Sequence, residues 1–108
     1  MNETIEKVAE LCGWKVYIDN TIFEFEKMIG TQDFVFAISY KEKSLQSFVF
    51  QIENYLKNFD VDYETSIWIG KDGHGKNGAP YHIKDILDEM YSAKEQIATL
   101  LYELKRKL

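Results

Sequence analysis

The run Gly70-Lys71-Asp72-Gly73-His74-Gly75-Lys76-Asn77 is the part of this sequence closest to a chemical motif. A phosphate-binding loop reads G-x-x-x-x-G-K-[ST]: backbone N–H groups cradle the phosphates, the lysine reaches them, and the hydroxyl holds magnesium. Here the glycines and Lys76 are in place, but Asn77 stands where the hydroxyl is needed. Gly78 and Pro80 also interrupt the chain where a helix should run on from the lysine. No strand–helix–strand frame surrounds the motif. The expectation is a connecting loop, with a nucleotide-binding enzyme using Lys76 as the alternative that it leaves.

Other reactive side chains are spaced less suggestively. His74 and His82 lie near Asp72 and Asp85 in the sequence, yet they form no H-E-x-x-H or other compact ligand pattern. No metal site is expected. Cys12 falls on an apolar stripe, where a cysteine acts as a small hydrophobe, reduced and buried. As the only cysteine, it excludes an internal disulfide framework and a multi-cysteine zinc site. No G-x-S-x-G elbow is present. The carboxylates Asp60, Asp62 and Glu64, and Asp85, Asp88 and Glu89, lack the aromatic or basic companion of a tuned acid–base pair. The expectation is therefore a protein that is not an enzyme, with no catalytic residues and no cofactor.

That leaves the acids as a surface. Asp60, Asp62, Glu64, Asp72, Asp85, Asp88 and Glu89 concentrate between residues 60 and 89, diluted only by Lys71, Lys76 and Lys84. Tyr63, Trp68 and Tyr81 would make such a face partly aromatic. It could occupy a basic groove by charge complementarity, or be an ordinary solvated edge. The candidate partner-binding residues are Asp60, Asp62, Glu64, Trp68, Asp85, Asp88 and Glu89. Thirteen Lys and Arg against eighteen Asp and Glu leave a net charge of −5, which disfavours direct nucleic-acid binding.

These residues need a frame. A chain of 108 residues, 45% hydrophobic and 15% aromatic, is expected to form a single globular domain over residues 1–108. No apolar run approaches the roughly 20 residues that span a bilayer. The acidic start, with Glu3, Glu6 and Glu10, does not read as a signal peptide. A cytoplasmic protein with no membrane contact is expected.

The spacing Ile5, Val8, Ala9, Cys12 predicts a helix over 2–12, capped by Asn2 and ended by Gly13. From Trp14 the period becomes two. Trp14, Val16 and Ile18, then Phe23 and Phe25, then Phe34, Phe36, Ile38 and Tyr40, predict three strands of an antiparallel meander. Asp19-Asn20 and Gly30-Thr31-Gln32-Asp33 are the turns. Ser44 caps a helix whose stripe is Leu45, Phe48, Val49, Ile52, Tyr55, Leu56 and Phe59, the cover for the Phe-rich sheet face. Over 61–69, strict alternation argues for a strand, while i, i+4 pairs and an aspartate cap argue for a helix. Gly70 to Pro80 is a loop. Ile83, Met90, Ile97 and Leu104, flanked by Ile86, Ala93 and Leu100, form a heptad stripe widened by Leu87, Leu101 and Leu108. It can pack inside one chain or zip a homodimer. The fold class expected is α+β: an N-terminal helix, a three-stranded antiparallel meander, then two or three helices on one sheet face.

The run Asn58-Phe59-Asp60-Val61-Asp62-Tyr63-Glu64, followed by Trp68-Ile69, a glycine-rich stretch, Pro80 and an amphipathic helix, resembles a group of short proteins of gut-bacterial phages and conjugative elements. The resemblance covers roughly residues 33–104. It implies mobile DNA as a habitat, where small acidic proteins blunt host defences, and a helical reading of the tryptophan segment. This chain departs from the group at Tyr63, Thr65 and Ser66. The functional expectation is a non-catalytic binding protein, an anti-CRISPR or anti-restriction inhibitor that presents acids to a basic nucleic-acid-binding host protein. The alternative is a homodimeric assembly protein using the C-terminal heptads, with no defence role.

Overall fold

The computed structural model describes residues 2–40 and 44–108. Its elements run helix α1 (Asn2–Leu11), strands β1 (Lys15–Asp19), β2 (Ile22–Ile29) and β3 (Gln32–Ser39), then helices α2 (Leu45–Lys57), α3 (Val61–Ser66) and α4 (Ile83–Lys105). The sheet is antiparallel in the order β1-β2-β3. This is the expected α+β architecture, and three helices follow the meander.

In α1, Ile5, Val8 and Ala9 are buried. Asn2 is already helical, so the capping position before it lies outside the described residues. Cys12 is only half-buried, because α1 ends at Leu11 and the chain turns at Gly13. The Cys12 carbonyl accepts a hydrogen bond from Lys27 Nζ at 2.6 Å.

The meander is tighter than its turn residues suggest. Asp19 pairs with Ile22 and Ile29 with Gln32, so both hairpins close over two residues. Asn20 takes a left-handed φ of 58° in the first turn, and Gly30 one of 61° in the second. Gln32 and Asp33, expected in the turn, are strand residues. The second turn is fixed from far along the chain. The N–H and hydroxyl of Thr31 both donate to Glu89 Oε1, at 2.8 and 3.0 Å.

Alternation places Trp14, Phe23, Phe25, Phe34, Phe36 and Ile38 on one buried face. The Ser44 hydroxyl caps α2 by accepting from Ser47 N at 3.0 Å. Phe48, Val49 and Ile52 of α2 then cover the Phe face. Phe25 stacks on Phe36 with ring centroids 5.0 Å apart, and Phe36 on Tyr55 at 5.0 Å. α4 crosses this core with Ile86, Met90, Ala93, Ile97, Leu100 and Leu104 fully buried. The heptad stripe is thus covered by the chain itself. Its predicted ends are not part of it: Ile83 is 45% and Leu108 64% exposed, and Leu108 lies beyond the helix. No helix among the described residues is long and apolar enough to cross a membrane.

Candidate interaction surface

The segment after Phe59 resolves into a short helix and a tied loop. Asp60 Oδ1 accepts from the N–H groups of Asp62 and Tyr63, at 3.0 and 3.2 Å, and starts α3. Val61 and Thr65, one turn apart, are its buried residues. The alternation over 61–69 is therefore helical up to Ser66, and only Ile69 makes a strand-like bridge, to Gly75.

The Gly70–Pro80 loop is held by its own backbone. Gly70 N donates to His74 O, Gly75 N to Tyr81 O and Lys76 N to Trp68 O, at 2.7, 3.0 and 2.9 Å. His74 stacks on Tyr81, with centroids 4.0 Å apart. Those three N–H groups point at the chain's own carbonyls, which is not the geometry of a phosphate cradle, and α4 begins at Ile83 rather than at Lys76. Gly75 is sterically required, since a Cβ there would lie 1.8 Å from the Pro80 carbonyl oxygen. Gly75→Ala is expected to cost about 1–3 kcal/mol as the loop shifts to relieve the overlap, measurable as a lower urea midpoint with His74 and Tyr81 resonances displaced.

The acids separate into three kinds. Asp62, Asp85 and Asp88 are exposed and, among the described residues, form no ion pair; the ion pairs there are Lys105–Glu53 and Arg106–Glu103. Asp60 is exposed too, with its carboxylate engaged as the α3 cap. Glu89 is half-buried and holds the Gly30–Thr31 turn, so this member of the predicted set is a structural clasp. α3 packs against α4, which places the two predicted acid groups on neighbouring elements. Tyr63, Ile67 and Tyr81 are exposed too, while Trp68 is half-buried.

Glu64 turns the other way. It lines a groove of about 450 Å³ with Ala37, Ser39, Gln51, Asn54 and Asn58. Burial, and then the charge of Asp60, raise its carboxyl above the usual range. The neighbouring Tyr55 hydroxyl is pushed up to about 12 by burial and, secondarily, by Glu64. Folded Glu64 therefore holds its proton more tightly than unfolded Glu64. Its contribution to stability declines as pH rises from the ordinary carboxylate range through the raised value. Glu64→Gln removes that decline: the variant is expected to gain on the wild type as pH rises from the ordinary carboxylate range, read as guanidinium midpoints across pH.

A second acidic surface, outside the 60–89 charge run, lies on the open face of the sheet. Asp19, Glu24, Glu26 and Asp33 sit there against Lys15, with exposed Tyr17, Val35 and Met28 between them. Tyr17 donates to Glu26 Oε1 at 3.2 Å. That hydrogen bond, with the nearby charges of Glu26, Asp33 and Glu24, raises the tyrosine's pKa. The signal lay in the acids alternating with Phe23, Phe25 and Phe34. Among the described residues, no group of three or more His, Cys, Asp and Glu is placed to hold a metal ion. No family model, no curated protein and no solved structure matches this chain.

Proposed function

We propose that this chain is a non-catalytic inhibitor of a basic nucleic-acid-binding protein, and that its exposed acids occupy the surface the nucleic acid would use. The observation that carries this reading is the set Asp62, Asp85 and Asp88, exposed and without ion-pair partners among the described residues, in a chain of net charge −5. Tyr63, Ile67 and Tyr81 supply the aromatic and apolar contacts that interface centres favour. The sharper form, an anti-defence protein directed at a CRISPR effector or restriction enzyme, is supported by the resemblance to mobile-element proteins.

The assembly alternative uses the heptad stripe of α4. Leu100 and Leu104 are fully buried against the chain's own core, so a dimer zipped on that stripe would require α4 to leave it. The inhibitor reading is tested by competition: purified effector or restriction enzyme should bind either this protein or its nucleic acid, but not both. A ternary complex would refute it.

A further inference from the structure

Among the described residues β3 is an edge strand, bonded to β2 on one side only. Tyr40 N donates to Thr21 O, and Tyr40 follows the register in which Ser39 faces Ile22. Antiparallel ladders alternate, so the backbones of Ile38 and Phe36 turn toward β2 while those of Ala37 and Ser39 turn to the free edge. Along that edge runs the 450 Å³ groove. Its far wall is α2 and its C-cap, with the amides of Gln51, Asn54 and Asn58, the last of which already donates to Asn54 O, and Glu64 stands in its lining. Among the described residues, lysine and arginine are absent from the lining and Glu64 has no ion-pair partner.

We propose that this groove takes an extended peptide segment of a partner protein as a fourth strand on β3, with a lysine or arginine of that segment reaching Glu64. Strand addition gives the edge groups of Ala37 and Ser39 the partners that a ladder supplies. The amide wall suits a peptide backbone and polar side chains, since each amide both donates and accepts. The half-buried carboxylate supplies the choice of side chain, because a charged hydrogen bond in a partly dry site is stronger than a neutral one. The proposal rests on the protein-binding reading, but its surface is separate from Asp62, Asp85 and Asp88.

The test uses the full chain, labelled for amide NMR, and two octapeptides of alternating valine and threonine, one with a central lysine and one with a central glutamate. The lysine peptide should slow hydrogen exchange at Ala37 and Ser39 and bind about tenfold tighter than the glutamate peptide. Ala37→Pro removes an edge N–H while sparing the β2 ladder, and should weaken binding about tenfold. Glu64→Gln leaves the edge intact and should erase the preference for lysine. Unchanged exchange at Ala37 and Ser39 with millimolar lysine peptide would overturn the proposal. So would a lysine preference that survives Glu64→Gln. Ala37→Pro that still excludes nucleic acid from the basic partner would leave the acidic-surface reading standing, which separates the two failures.

Discussion

Replacing Phe25 by alanine is expected to lower the free energy of unfolding by about 3–5 kcal/mol. Phe25 is fully buried at the centre of β2, stacked on Phe36 and 6.0 Å from the ring of Phe48. Truncation removes its transfer free energy and leaves a cavity between the sheet and α2 that neighbouring rings, locked by their own contacts, fill only in part. A domain of this size is stable by about 5–15 kcal/mol, so the loss is a large share of the total. Phe50, on the same helix as Phe48 but 62% exposed, is the comparison: Phe50→Ala should change stability by less than about 0.5 kcal/mol. Guanidinium unfolding separates the two, and an equal effect at both positions would refute the assigned core face of α2.

Leu100→Glu is expected to unfold the chain near neutral pH. Leu100 is fully buried on α4, and an unpaired carboxylate there has neither water nor a cation. The cost of several kcal/mol after relaxation, added to the lost packing, approaches the whole stability. The alternative of a dimer seam predicts a different outcome, a folded monomer with α4 intact. Circular dichroism with light scattering distinguishes them: loss of helix signal follows from the internal stripe, and a helical monomer of half the wild-type mass follows from a seam.

The parts of the fold set by local periodicity were legible, and those set by distant contacts were not. α2 could be read position by position because Phe48, Val49 and Ile52 bury on one stripe after a serine cap. Val61 to Ile69 could not, since Val61 and Thr65 satisfy both a helical and an alternating count. The Asp60 cap decides it. Gln32 reads as a turn residue from the polar run Gly30-Thr31-Gln32-Asp33, but the register closes the hairpin over two residues, and Thr31 is clasped by Glu89, 58 positions away. The ends of the α4 stripe overran because periodicity does not show where the core stops. The candidate surface divides the same way. Exposed acids were legible as a charge run, but composition does not show that Glu89 points inward. Gln51, Asn54 and Asn58 mark a polar helix face by their spacing, yet only the order of the strands puts the groove beside a free edge.

The proposed contact with a basic partner is made by exposed carboxylates on α3 and α4. Its most direct test is nuclease inhibition measured with the wild type and with the triple variant Asp62→Asn, Asp85→Asn, Asp88→Asn, at low and at moderate salt, on purified CRISPR effectors and restriction enzymes of gut bacteria. Asp60 and Glu89 stay unchanged, so the α3 cap and the turn clasp are kept. The expected result is inhibition that weakens at least about tenfold in the variant and falls as salt rises, because charge pairs across an interface are screened. Inhibition of equal strength by the variant, indifferent to salt, would contradict the claim, as would no inhibition of any enzyme tested.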